Sequence, residues 1–307
     1  MILPERDEGL TGGRASPVGD AVIEAAPAKV NLALHVTARR PDGFHDLESL
    51  VVFAGVGDEI VARRGRADSL TVTGPFAAAA GNGDANLVAR AVRAFRTRWP
   101  GHLREGLAIE LRKNLPVAAG LGGGSANAAA ALRLMVELGE ERIAPQALAE
   151  VALSLGADVP ACLIGRPCEV RGKGEIVHAL PQFPVCHLVL VNPLVPVVTA
   201  EVFRRLEQRD NDGLPPLPDP LTRPAQLGIW LAETRNDLEP TAVALVPAIG
   251  ELSAVIGEIE GCMLSRMTGS GSTVFGLFGS AARAHQAAHD LRARFPGYWV
   301  AAAPVLT

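Results

Sequence analysis

No stretch of this sequence stays apolar for long. The longest such run, Leu188 to Val198, is broken by Asn192, Pro193 and Pro196 and falls short of the roughly 18 residues that a membrane span needs. An excess of one charge is also missing. Lys and Arg total 29 against 33 Asp and Glu, a net charge of −4, and the cations are scattered, so no general attraction to nucleic acid is expected. The one local basic cluster, Arg63, Arg64 and Arg66, reads as a solvated turn between strands. Cysteine is sparse. Cys162, Cys168, Cys186 and Cys262 form no C-x-x-C pair and lack the close His or Cys partners of a metal site, so they read as buried small hydrophobes in a reducing compartment. With no hydrophobic signal core near the start, a cytoplasmic location is expected. Two common phosphate-binding patterns are absent as well. The Walker form fails because Ser125 and Ala126 follow Gly124, with no lysine, and the dinucleotide form fails because Ser125 stands where its third glycine belongs.

What is present is a soluble, globular composition: 307 residues, 48% hydrophobic and 20% charged, enough for two domains with sizeable cores. Within it, Lys113 to Ala131 joins a glycine-dense loop to an alanine-rich helix. Gly120, Gly122, Gly123 and Gly124 carry no Cβ, so the backbone there has access to φ > 0 and aims successive N–H groups into one concavity. The helix expected from Ser125 to Leu138 points its unpaired N–H groups and positive dipole end at the same place. A flexible linker is the alternative. The strand signal at Ile109 and Leu111 and the buried-helix signal from Ala128 to Met135 speak against it.

Taken in order, residues 1–20 show neither periodicity nor a signal core and read as a disordered N-terminal extension. Strands are expected at Ala21–Ala26 and Val30–Val36, flanking Pro27-Ala28-Lys29, and again at Leu47–Phe53 after the turn Arg39–Gly43. Asp84–Trp99 reads as a helix with Leu87, Val88, Ala91, Val92 and Phe95 on one face, stopped by Pro100-Gly101. Leu107–Leu111 is the strand feeding the glycine loop, and Pro145 opens a helix that Gly156 closes. Cys168–Val170 and Glu175–Leu180 read as a hairpin. A strand at His187–Val191, a helix over Ala200–Arg209 headed by Thr199, a Pro-rich loop over Asp210–Pro224 and one long helix running to Glu260 follow. Ser265 to Thr273 carries a second glycine-rich turn before a strand ending at Phe278, and a helix Ala281–Phe295 and a strand Tyr298–Ala303 close the chain. The expected domains are 21–183 and 184–307.

Four motifs in this order resemble those of the GHMP small-molecule kinases. They are Pro27-Ala-Lys-Val-Asn-Leu32, Asp42-Gly-Phe-His45, Pro116-Val-Ala-Ala-Gly-Leu-Gly-Gly-Gly-Ser-Ala-Asn127 and Gly156-Ala-Asp-Val-Pro160. The likeness covers roughly Ala21 to Val300. It implies an α+β, two-domain GHMP kinase fold: an N-terminal ribosomal-protein-S5-like α/β domain, a C-terminal ferredoxin-like α/β-plait domain, and a site in the cleft between them. It implies ATP with Mg²⁺ as cofactors. Within the family the motifs are nearest those members that phosphorylate a cytidine diphosphate-linked methylerythritol in isoprenoid-precursor formation. Homoserine- or mevalonate-type members, or a nucleotide-binding module without catalysis, are the alternatives.

The resemblance also assigns residues. Pro116, Ala118, Ala119, Gly120, Leu121, Gly122, Gly123, Gly124, Ser125 and Asn127 would bind ATP, with Ser125 also in reach of Mg²⁺, which is otherwise held by ATP phosphates and not by a protein cage. Asp158 would accept the hydroxyl proton, and Lys29 would orient Asp158 and stabilise transferring charge. Asn31 and Thr199 would contact the alcohol substrate, Phe44 would stack on cytosine and His45 would bond the base. Gly269, Ser270 and Gly271 form the third glycine motif. Read from the residues alone, Lys29 is a surface lysine and Phe44 and His45 are a cap on the core, while Asp158 and Thr199 fit helix caps as well as substrate contacts. Two departures stand out: Phe44 replaces the usual tyrosine, keeping the ring face and losing the phenol, and Ala126 replaces a frequent second serine. Expected partners are the small-molecule substrate and ATP, with no nucleic acid or membrane, in a monomer or homodimer.

Overall fold

The structure is a computed structural model that describes residues 16–18, 21–139 and 142–307. Its contacts fall into two compact units. One gathers the described residues up to Ala28 with Gly57–Val117 and Gly122–Arg166; the other gathers Lys29–Val56, Ala118–Leu121 and Pro167–Thr307. Both units are thus discontinuous in the chain.

The first unit opens with β1 (Ser16–Val18), antiparallel to the start of β2 (Ala21–Arg39). Residues 16–18 therefore belong to a strand and not to a disordered extension; the rest of that expectation lies outside the described residues. β2 is one strand where two were expected. The fixed φ of Pro27 is itself extended, so the ring does not interrupt the strand. β3 (His45–Gly65) is longer than expected too, and Gly57 explains how: a Cβ there would sit 2.3 Å from the Ala26 carbonyl oxygen. β4 (Ser69–Thr73) and the short α1 (Ala77–Ala80) follow, neither of them signalled by apolar periodicity. α2 (Leu87–Arg98) starts later than expected because the Asn86 side chain caps it, accepting from the Val88 N–H. β5 (Gly106–Arg112) pairs antiparallel with the end of β3 and parallel with β4.

α3 (Gly123–Leu138) begins inside the glycine loop, two residues before the expected start. Every residue from Ala126 to Met135 is buried, and α2, α4 (Pro145–Leu155) and α5 (Val159–Ile164) pack on it. Alanine at five of those ten positions makes close approach possible on all sides. The one buried charge on α3, Arg133, is partnered: each of its three nitrogens donates, to Glu24 Oε1 at 2.5 Å and to the carbonyls of Cys162 and Ala25.

In the second unit, β6 (Cys168–Gly172) and β7 (Ile176–Ala179) form the expected hairpin, and β6 pairs with the start of β3. β8 (His187–Asn192) is followed by α6 (Thr199–Arg205), which ends four residues early. α7 (Pro224–Ala232) has no counterpart in the sequence reading. The single helix expected to reach Glu260 is two, α8 (Glu239–Leu245) and α9 (Ala248–Gly257), because Pro247 has no N–H to continue the first. β9 (Cys262–Met267), β10 (Val274–Phe278), α10 (Ala281–Arg294) and β11 (Trp299–Leu306) complete the chain. The strand order β11-β8-β10-β9 is antiparallel throughout, and β11 continues onto β3. Ile249, Leu252 and Ile256 of α9 and Ala284, Ala287 and Leu291 of α10 join its core. Cys162, Cys168 and Cys186 are buried and Cys262 half-buried, and none of them is in a disulfide among the described residues. No helix among the described residues is long and apolar enough to cross a membrane.

Candidate active site

In the second unit the two glycine-rich motifs meet. The Ala119 carbonyl accepts from both the backbone N–H of Thr273, at 3.1 Å, and its hydroxyl, at 2.6 Å. Gly120 has φ +74°, and a Cβ on it would lie 2.4 Å from the Thr268 carbonyl oxygen and 2.9 Å from that of Gly271. Glycine is therefore required by close backbone packing as well as by the dihedral. Ala118, at φ +53°, is a non-glycine residue in the same left-handed region. The Lys29 N–H donates to the Leu121 carbonyl at 2.9 Å, and the Asn31 N–H to Thr268 Oγ1 at 2.8 Å. Lys29, Asn31, Ala118–Leu121 and the turn Gly269–Gly271 are thus one hydrogen-bonded cluster, in which Lys29 is buried rather than a surface lysine. Thr199 joins it: its hydroxyl meets Ser270 Oγ at 2.7 Å, and Val198, not Thr199, occupies the N-cap of α6.

Phe44 and His45 sit apart in environment although adjacent in sequence. Phe44 is 60% exposed, presented by a turn in which its N–H bonds Asp42 Oδ1, with the Lys173 ammonium 5.0 Å from its ring centre. An exposed ring caps no core. His45 stacks on Phe203 at 5.1 Å, and its Nε2 is buried without a hydrogen-bond partner among the described residues. Burial, with Arg209 and Arg39 nearby, pulls its pKa below the ordinary histidine value, so near neutral pH it is an uncharged imidazole.

In the first unit, Gly122 has φ +59° and precedes α3, whose first turn comprises Gly123, Gly124 and Ser125. Their N–H groups have no partner in the helix ladder. Pro116 and Asn127 are buried, and Asn127 Oδ1 has no hydrogen-bond partner among the described residues. The space around these glycines refines the sequence argument. A Cβ on Gly123 would lie 3.1 Å from Lys113 Nζ, and one on Gly124 3.1 Å from Leu87 Cδ1. Both glycines are thus also fitted to the protein behind the loop. Asp158 precedes α5 in helical backbone, and its side chain makes no cap hydrogen bond to the helix it heads. The capping alternative is not realised.

Lys113 and Asp58 are the residues that sequence reasoning missed. Both are buried, with Nζ to Oδ2 at 2.5 Å, and Asp58 Oδ1 accepts from the N–H groups of Asn114 and Leu115. Burial pulls the Lys113 ammonium below the ordinary lysine range and Asp58 opposes this. The pair lies 55 residues apart in sequence, so only the polar character of Lys113 at the end of an apolar strand hinted at it. Among the described residues no three His, Cys, Asp or Glu side chains cluster as a metal site.

This geometry is accompanied by matches to known proteins. Residues 86–166 match the family described as GHMP kinases N terminal domain, and residues 221–297 match GHMP kinases C terminal. The chain is 48% identical over 284 residues to the 4-diphosphocytidyl-2-C-methyl-D-erythritol kinase of Agrobacterium fabrum, covering 90% of this chain and 94% of that one. It is 49% identical over 282 residues to the enzyme of the same name from Rhizobium etli, covering 91% and 92%. The chain belongs to the 4-diphosphocytidyl-2-C-methyl-D-erythritol kinase family of GHMP kinases. A crystal structure of a kinase of that family superimposes with a TM-score of 0.77 at 33% identity, covering 93% of this chain and 99% of that one. Homoserine kinase from Cytophaga hutchinsonii shares the fold at a TM-score of 0.68 and 18% identity, covering 95% and 97%.

Proposed function

We infer that the chain transfers the γ-phosphoryl group of ATP to the 2-hydroxyl of 4-diphosphocytidyl-2-C-methyl-D-erythritol, a step of isoprenoid-precursor formation. The observation that carries this reading is 48–49% identity over about nine-tenths of the chain to kinases named for the cytidylyl substrate, in a chain with an aromatic ring and a histidine together at Phe44 and His45. Homoserine and mevalonate kinases share the fold at 18% identity or less. Phosphoryl transfer asks chiefly for positioning and charge stabilisation. The N–H groups of Gly123, Gly124 and Ser125 and the positive end of α3 fit ATP phosphates, and the Ser125 hydroxyl would be the protein group in reach of Mg²⁺, which would supply charge neutralisation there. The acceptor oxygen forms its bond to the γ-phosphorus, the bond to the β,γ-bridging oxygen breaks, and ADP leaves. The hydroxyl proton goes to the Asp158 carboxylate, and the Lys29 ammonium offsets charge on the transferring group. Asn31 and Thr199 hold the alcohol. Phe44 offers a ring face to the cytosine and His45 a neutral nitrogen to its edge.

Asp158→Asn is the direct test of the chemistry. Turnover should fall by ~10²–10⁴-fold, the range usual for a lost acid–base group, with ATP affinity kept. Near-normal turnover would remove Asp158 from the reaction.

A further inference from the structure

The Asn31 side chain is buried, 4% exposed, and its Oδ1 has no hydrogen-bond partner among the described residues. A buried acceptor left unmade is costly, so its orientation needs a cause. Ser49 supplies it. Ser49 Oγ lies 2.6 Å from the Ala33 carbonyl oxygen and 2.7 Å from the Asn31 amide nitrogen. A hydroxyl has one proton, and a carbonyl only accepts. That proton therefore goes to Ala33, and Ser49 Oγ has only lone pairs to offer Asn31. The amide must turn its NH₂ toward Ser49, leaving Oδ1 on the other side. Flipping the amide would place two acceptors 2.7 Å apart. The Asn31 N–H is also held, by Thr268 Oγ1, so the whole residue is fixed in one pose.

We propose that Ser49 is a positioning residue for substrate specificity: by spending its proton on Ala33 it fixes Asn31 with an acceptor toward the ligand, selecting a hydroxyl donor on the alcohol end of the substrate. The alcohol end follows from placement. Asn31 is two residues from Lys29 on the same strand, and both residues tie their N–H groups to the joined glycine motifs, Lys29 to Leu121 and Asn31 to Thr268. The inference rests on the reading of Asn31 as a substrate contact, and the two can fail separately.

The test compares steady-state kinetics of the full chain with Ser49→Ala, Ser49→Thr, Asn31→Ala and the Ser49→Ala/Asn31→Ala double variant. Ser49→Ala should raise the KM for the cytidylyl substrate by about tenfold, as one misdirected buried hydrogen bond does, and leave the KM for ATP and inhibition by CDP unchanged. Ser49→Thr keeps the hydroxyl and should restore the wild-type KM. In the Asn31→Ala background, Ser49→Ala should add nothing, because its effect runs through Asn31. In the unsubstituted protein, nuclear Overhauser contacts should join the Asn31 amide protons to the Ser49 β protons, a readout that holds even if Ser49→Ala fails to fold. Additive losses, equal weakening of CDP, or absence of those contacts overturns the Ser49 role. An unchanged KM in Asn31→Ala overturns the substrate reading of Asn31 and the Ser49 role with it.

Discussion

The two halves of the phosphate loop are continuous in sequence and supported by opposite means. Ala118–Leu121 is held by neutral groups: the Thr273 N–H and hydroxyl on the Ala119 carbonyl, and backbone packed tightly around Gly120. Gly123–Ser125 is backed by charge, the buried pair of Lys113 and Asp58 beneath the first residue of α3. The motif thus has glycines of two kinds. Gly120 is enclosed by backbone that cannot yield, whereas Gly123 and Gly124 face the ends of flexible side chains. One glycine pattern conceals two tolerances.

Breaking the charged support should have the largest effect. Asp58→Ala strands a buried ammonium and two N–H groups, and removing one partner of a buried pair costs about 3–5 kcal/mol. Chemical denaturation measures this directly. Replacing both members, as Asp58→Leu with Lys113→Met, should recover much of the loss; no recovery would mean that the N–H groups of Asn114 and Leu115, not the pair, hold the segment.

Gly120→Ala should come next. A Cβ 2.4 Å from a carbonyl oxygen, added at φ +74°, combines overpacking with left-handed strain, together about 3 kcal/mol. Gly124→Ala sharpens the contrast. Its Cβ would meet only Leu87 Cδ1, and alanine gains up to ~1 kcal/mol of helix propensity over glycine, so stability should hold or rise slightly. Melting temperature should therefore fall for Gly120→Ala and hold or rise for Gly124→Ala, and equal losses would erase the distinction.

The smallest effect separates the units by pH. His35 in the second unit is buried, with Nδ1 bonded to the Asp212 carbonyl and Nε2 accepting from the Arg235 N–H. Burial holds its pKa below the ordinary value of 6.5. A lowered histidine pKa means that the unfolded chain binds protons first, so this contribution is intact above 6.5 and declines as pH falls through it. Hydrogen-exchange protection of the Arg235 amide, corrected for intrinsic rates, should drop between pH 7 and 5, and that of the Ala126 amide, bonded to the Gly122 carbonyl in the first unit, should not.

The glycine loop was legible because its chemistry is local: φ > 0, absent Cβ atoms and a helix start are all written within Gly120–Ser125. β5, α4 and the β6–β7 hairpin were legible for the same reason. What was hidden depends on partners far away. Pro27 looked like a break and lies within a strand, because Gly57 lets β3 approach it. Pro247 looked like part of one helix and divides two. The Asp210–Pro224 loop shows only its proline content in the sequence, whereas Asn211 bonds the Val36 carbonyl, Leu214 bonds Glu48, and Trp230 reaches Pro215 and Pro216. The pairing of Asp58 with Lys113, and of Ser49 with Asn31, is not written locally and emerges only when strands bring the partners together.

The most direct measurement follows labelled γ-phosphate from ATP. Purified protein should transfer the label to 4-diphosphocytidyl-2-C-methyl-D-erythritol, and Phe44→Ala should raise that substrate's KM by about tenfold, the worth of one base–aromatic stack, with the KM for ATP unchanged. Label appearing equally on methylerythritol without its cytidylyl group, or on homoserine or mevalonate, would contradict the account.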